Sequence, residues 1–284
     1  MATNPAFQRL QLLVGSSTLD ILRESRVIVF GVGGVGGWCA EALVRSGVGS
    51  ITLVDNDTVC VTNVNRQLQA TTRNVGRSKV GELRERLLSI HPRVEVEAVE
   101  EVYELANRDR FQLQEYDYVI DAIDSYTHKM ELIEHAWETG SRIFSSMGAA
   151  SRMDATKIRT ASLWDARMDP FARILRKGLR RRGFRGDLQV VYSEELPLEP
   201  VESTSVACGT HRCFCQHDDP DHKDWCTTKI VINGSAVHVT ASFGMALAGL
   251  VLQNVRERAT LAAIERELMS MDTKADAPSA CVVV

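Results

Sequence analysis

The stretch Arg26-Val27-Ile28-Val29-Phe30-Gly31-Val32-Gly33-Gly34-Val35-Gly36 joins a short β-branched run to a glycine-rich turn. An apolar run without polar interruption forms a strand buried on both faces. Glycines leave no side chains in the way, so the backbone can close on an anion. The helix expected at Trp38–Ser46 presents its N-terminus to that anion. Gly31, Gly33, Gly34 and Gly36 are therefore candidate phosphate-binding residues. Asp55 ends the next strand, Ser50–Val54, about 20 residues on, where a carboxylate holds ribose hydroxyls, with Asp57 beside it. Alone, this combination fits a redox dinucleotide and a nucleoside triphosphate equally well.

Outward from this stretch the pattern repeats. A helical arm over Phe7–Glu24 precedes it. Apolar residues at helical spacing predict a helix over Lys79–Ile90, which stops before Pro92. Strands are expected at Val94–Val99, Tyr118–Ile123 and Arg142–Ser146, with a helix at Lys129–Glu138. Alternating strands and helices over 26–146 predict an α/β fold: a Rossmann-like, mostly parallel sheet with helices on both faces. Beyond Ser162 the pattern weakens into a basic helix, Trp164–Gly183, and an irregular stretch, Gly186–Thr228, a less regular C-terminal substrate region. Helix returns at Val239–Arg258. Val237–Val251 is short for a membrane span and is interrupted by His238, Ser242, Gly244 and Gly249, so it reads as a buried helix.

Cations separate the two nucleotide readings. Asn63, Asn65, Arg66 and Gln67 follow Asp55, and Lys79 opens the next helix. A redox dinucleotide needs no such cluster. A triphosphate that loses pyrophosphate does, with Arg66 forking onto phosphate oxygens and Lys79 supplying a point charge. Asp121-Ala122-Ile123-Asp124 ends the fourth strand. A carboxylate beside a triphosphate is repelled unless it binds Mg2+, so Asp124 is the candidate metal ligand or else a helix cap, and Asp121 reads as structural.

These residues resemble an adenylating family that includes the ubiquitin-activating enzymes and the bacterial enzymes that activate sulfur-carrier proteins. The resemblance spans about residues 7–160. It implies that Asp55 binds ribose, that Asn63, Arg66 and Lys79 bind ATP phosphates, and that Asp124 binds Mg2+. Phe7-Gln8-Arg9 with Gly15 is similar to the family's N-terminal arm, which implies a homodimer with Arg9 shared across the interface. Arg66, Lys79, Asp124 and Arg9 are the residues implied in catalysis. The cofactors implied are ATP and Mg2+.

Within that family the chain is most similar to the tRNA threonylcarbamoyladenosine dehydratases. The match lies in Val59-Cys60-Val61-Thr62-Asn63, Asn65-Arg66-Gln67, Asn74-Val75-Gly76 and Val119 to Ser125 followed by Lys129. It continues through Asp154-x-Thr156-Lys157-Ile158, Asp169-Pro170 and Val191-Tyr192-Ser193-x-Glu195. The resemblance implies ATP-dependent cyclising dehydration of threonylcarbamoyladenosine at tRNA position 37, through an acyl-adenylate. The alternative is adenylation of the C-terminus of a ubiquitin-like sulfur-carrier protein. It also leaves room for a sulfur-relay protein partner. One adenylating domain is implied over 1–258, with 26–160 the ATP-binding core, 161–230 a basic helix and irregular loop, and 259–284 a C-terminal helix and tail.

The 284 residues carry a formal net charge of −4, so tRNA binding needs a local basic patch. Arg173, Arg176, Lys177, Arg180, Arg181, Arg182 and Arg185 supply one, with no acid between Asp169 and Asp187. The seven cysteines and the absence of a leader pattern predict reduced thiols, a cytoplasmic location and no membrane association. Cys213, Cys215 and Cys226, near Cys208, His211, His217 and His222, fit a tetrahedral zinc site or a cysteine-rich loop equally well. Their spacing departs from the paired C-x-x-C of the sulfur-carrier activators. Cys281-Val282-Val283-Val284 has the outline of a prenylation box without polybasic support, and reads as a frayed tail.

Overall fold

A computed structural model describes residues 4–201 and 233–275. Among them are seven strands: β1 Arg26–Phe30, β2 Ser50–Val54, β3 Glu95–Val99, β4 Tyr118–Asp121, β5 Ile143–Ser146, β6 Ile158–Ser162 and β7 Gln189–Ser193. They form one sheet in the order β3-β2-β1-β4-β5-β7-β6. All neighbours are parallel except β6, which pairs antiparallel with β7. The helices are α1 Gln8–Val14, α2 Ser16–Glu24, α3 Gly36–Arg45, α4 Lys79–Ile90, α5 Tyr126–Glu138, α6 Pro170–Arg181 and α7 Val237–Ala275.

Alternation along β1 builds two cores. Val27 and Val29 pack with Leu43, Leu83 and Phe243 of α3, α4 and α7 on one face. Ile28 and Phe30 pack with Met130, Ile133 and Leu175 of α5 and α6 on the other. The sheet is thus covered on both sides, as a parallel sheet requires. Strand order reverses between β1 and β4, which opens a crevice at their carboxyl ends.

Helix α7 is long and apolar enough over Val237–Leu268 to cross a membrane, by length and composition alone. Its stripe Val239, Phe243, Leu247, Val251 and Val255 is fully buried in the core. Gly244 permits the approach to α3: a Cβ there would lie 2.8 Å from the Trp38 Cβ and closer still to the Val35 carbonyl oxygen. Gly244→Val is expected to cost about 1–3 kcal/mol by overpacking, read as a lower urea midpoint at unchanged slope.

Several elements differ from the sequence-based expectation. The N-terminal arm is two helices, because Gly15 adopts φ 84°, ψ 164° between them. Helix α5 starts at Tyr126 rather than Lys129, with Ser125 as N-cap and no side-chain capping bond, so Asp124 is not its cap. Helix α6 is shorter than Trp164–Gly183 because Asp169 caps it through the Ala172 amide (2.9 Å) and Pro170 sets its first turn. Helix α7 runs past Arg258 without a break. The stretch expected to be irregular from Gly186 contains β7, which lies inside the sheet between β5 and β6. The sheet therefore continues past residue 160. Glu195 accepts the Asp154 amide at 2.9 Å, and Asp154 caps the turn that opens β6, so these motif residues hold β6 and β7 together.

Candidate functional site

The carboxyl ends of β2, β1, β4 and β5 open into one cavity of about 810 Å3. Gly31 turns the chain out of β1 at φ +83°, and a Cβ there would sit 2.8 Å from the Ala122 carbonyl oxygen. A Cβ at Gly36 would overlap the Gly31 carbonyl, so the turn can close only with glycine at both positions. Gly33 and Gly34 line the cavity. Helix α3 begins here with no side-chain capping bond. Its first N–H groups and positive dipole end thus form an anion cradle.

Asp55 sits at the end of β2 with both oxygens engaged: Oδ2 accepts the Val32 amide at 2.8 Å and Oδ1 the Asp57 amide at 2.9 Å. Burial raises its pKa, and the charge of Lys79 opposes that rise. Each oxygen retains a lone pair for a ribose hydroxyl. Lys79 is 5% exposed, and its Nζ donates to Asp57 Oδ2 at 2.7 Å. Burial disfavours its charge, but Asp55, Asp57 and Asp124 outweigh burial and hold its pKa above the usual lysine range. Asp57 lines the cavity and pairs with this ammonium.

Asn63 is buried, and its Oδ1 accepts the Cys60 amide at 3.0 Å, fixing the turn that carries Arg66. Arg66 Nη1 donates to the Thr62 carbonyl (2.8 Å) and to Asn65 Oδ1 (3.0 Å), while Trp38 Nε1 donates to the Arg66 carbonyl at 3.1 Å. Gln67 lines the cavity, buried, with an Oε1 that has no donor among the described residues. Asp124 lies exposed on the turn after β4. That turn is pinned from below: Asp121, fully buried, accepts the Ile123 amide at 3.1 Å, Lys129 Nζ at 2.7 Å and Ser145 Oγ at 2.6 Å.

Gly31, Gly33, Gly34, Asp55, Asp57, Asn63, Arg66, Lys79 and Asp124 therefore line a single cavity. Arg9 does not line its own chain's cavity; it is exposed on α1, beside the exposed Leu12 and Leu13. No group of three or more carboxylate, His or Cys side chains suited to a metal occurs among the described residues. Cys213, Cys215, Cys226 and the C-terminal tetrapeptide lie outside the described residues.

On α6 the basic residues separate by facing. Arg176 turns inward, and its Nη1 donates to the carbonyls of Leu163 (3.0 Å) and Ala166. That nitrogen serves a structural contact, on a side chain that is half-buried. Arg182 pairs with Glu134 at 2.7 Å, and Arg180 stacks over the Trp164 ring at 5.0 Å. Arg173, Lys177 and Arg181 are exposed and make no ion pair among the described residues.

Sequence reasoning did not single out the β5 side of the cavity. Ser146–Arg152 line it, with Phe171 and Ile174 from α6. The available signal was the small-residue run Gly148-Ala149-Ala150-Ser151 immediately after a strand, where open α/β sheets bind ligands.

A family model described as the ThiF family matches residues 7–277. The chain belongs to the ThiF family. This ThiF-family chain is 42% identical over 203 residues to a tRNA threonylcarbamoyladenosine dehydratase of Bacillus subtilis, covering 72% of this chain and 80% of that one. It is 34% identical over 254 residues to the Escherichia coli protein of the same name, covering 87% and 92%. Among solved structures, E. coli tRNA N6-threonylcarbamoyladenosine dehydratase, TcdA, in complex with ATP matches the ThiF-family chain with a TM-score of 0.76 at 30% identity, covering 92% and 99%. The ThiF family is thus matched here together with the Rossmann-like sheet that builds the cavity.

Proposed function

We propose that this chain uses ATP and Mg2+ to activate the threonyl carboxylate of threonylcarbamoyladenosine in tRNA and close it into a dehydrated ring. The observation that carries this reading is the convergence of the glycine cradle, Asp55, Asn63, Arg66, Lys79 and Asp124 on one cavity. The similarity to dehydratases over most of both chains favours tRNA over a sulfur-carrier protein.

The donor set suits ATP. The cradle has no room for side chains at Gly31 and Gly36, and Gln67 Oε1 is a buried acceptor awaiting a donor. It suits Mg2+ as well, which keeps waters and binds one or two carboxylates plus substrate phosphates rather than an all-protein cage. ATP with Mg2+ supplies an electrophilic α-phosphorus and makes the carboxylate oxygen depart as AMP. Asp55 accepts ribose hydroxyls. Asn63, Arg66 and Lys79 bind phosphate oxygens and stabilise charge on departing pyrophosphate. Asp124 holds the metal. Ring closure is intramolecular, so positioning supplies much of its rate and no nucleophile from the enzyme is needed. The exposed arm α1, with Leu12 and Leu13, supports a homodimer in which Arg9 enters the partner's site. A cytoplasmic protein with a sulfur-relay partner is compatible with this reading.

The test is substrate-dependent exchange of labelled pyrophosphate into ATP. Threonylcarbamoyladenosine-bearing tRNA supports exchange. Exchange driven instead by a small carrier protein ending in a glycine pair, and not by tRNA, would replace this reading with the alternative. The exposed cations of α6 make a second expectation. Changing Arg173, Lys177 and Arg181 to Glu weakens tRNA binding at least about tenfold at low salt and flattens the salt slope by about 2, with AMP affinity unchanged. Filter binding over a salt series reads both.

A further inference from the structure

Arg152 is 3% exposed and lines the β5 side of the cavity. Its Nε donates to the Gly148 carbonyl at 3.0 Å and its Nη2 to Asp169 Oδ2 at 3.0 Å. Nη1 is buried and has no acceptor among the described residues. A guanidinium nitrogen left without a partner in the interior is costly, and such exceptions in native structures mark places where a ligand completes the bonding.

The surroundings define that ligand. Asp55 places ribose at β2, and the glycine cradle with Asp124 places phosphates between β1 and β4. Neighbouring strands lie about 5 Å apart, so β5 is roughly 10 Å from the cradle. A carboxylate attacking the α-phosphorus must trail the rest of its acyl group toward β5. Gly148, Ala149 and Ala150 leave space there, and Phe171 supplies an apolar wall. Asp169 already neutralises the guanidinium, and its other oxygen is committed to the Ala172 amide. The remaining N–H therefore favours a neutral acceptor, such as a hydroxyl or urea-type carbonyl oxygen, over a second full anion.

We propose that Arg152 is a substrate-binding residue whose Nη1 donates to a neutral oxygen of the acyl group, selecting short carboxylic acids that carry such an oxygen near the carboxylate. This rests on the reading above. Three variants test it in steady-state kinetics with threonylcarbamoyladenosine-bearing tRNA, alongside AMP affinity by calorimetry and thermal unfolding. Arg152→Lys keeps the charge opposite Asp169 but loses the fork. Its KM for the tRNA rises roughly ten- to a hundredfold, with kcat and AMP affinity little changed. Asp169→Asn weakens the same ion pair but keeps Nη1, and its KM stays within about threefold of wild type. Should Arg152→Lys fail to fold, Arg152→Gln/Asp169→Asn, which leaves no buried charge, is measured with the same expectation as Arg152→Lys. A KM unchanged in the Arg152 variant, or raised equally in Asp169→Asn, overturns the assignment while leaving the dehydratase reading intact. A wild-type protein that does not turn over the tRNA overturns both.

Discussion

Arg66→Ala abolishes AMP release, lowering it by roughly a thousandfold, while the protein stays folded. Arg66 is held by its own turn: Nη1 bonds the Thr62 carbonyl and Asn65, and the Trp38 indole bonds the Arg66 carbonyl, an interaction that alanine keeps. The two guanidinium bonds that alanine loses are exposed, so their loss is expected to cost only about 1–2 kcal/mol. On the proposed function, removal of the guanidinium takes away a preorganised donor where pyrophosphate charge develops, a class of loss that costs about 10²–10³ or more in rate. Asp124→Ala is expected to behave alike for a different reason, since it removes the one carboxylate on the exposed turn after β4. Coupled assay of AMP at saturating ATP, with circular dichroism of the variants, checks both. Normal turnover in either removes that residue from the machinery.

Lys129→Met has the opposite profile: a large loss of stability. Lys129 and Asp121 are both fully buried, joined at 2.7 Å, with Ser145 as the third member. Removing one partner leaves an uncompensated buried charge and costs about 3–5 kcal/mol. Asp121 also accepts the Ile123 amide, so the turn that carries Asp124 loosens with it. The double variant Asp121→Asn/Lys129→Met is expected to recover most of the stability without recovering activity, because the charges are gone together but the clamp on the turn is weakened. Urea unfolding of the two singles and the double gives the coupling directly. Additive losses would show that the pair does not act as a unit.

Much of this architecture was legible because its signals are local. The run Arg26–Phe30 followed by glycines, and Asp55 after the next strand, announce a nucleotide crevice with little ambiguity. Strand β7 was not legible. Gln189–Ser193 is short, precedes Pro197 and Pro200, and owes its place to pairing with β5 and β6, which no local pattern encodes. Arg176 shows a subtler limit. Seven basic residues read as one patch, yet Ala172, Leu175 and Leu179 form the buried stripe of α6 and Arg176 borders it. A helical wheel contains that hint, but the carbonyls of Leu163 and Ala166 that capture the guanidinium come from outside the helix. The β5 side of the cavity escaped notice because the run Gly148–Ser151 is small and carries no motif, and Arg152, Phe171 and Ile174 join it only through the fold. Only the folded sheet shows that they face Asp124 and the glycine cradle across one crevice.

The most direct measurement is mass analysis of nucleosides from tRNA incubated with the protein, ATP and Mg2+. If the crevice houses a triphosphate beside an acyl group, threonylcarbamoyladenosine loses one water, and only when both ATP and the divalent ion are supplied. A nucleoside of unaltered mass after prolonged incubation with folded, ATP-binding protein would contradict that account.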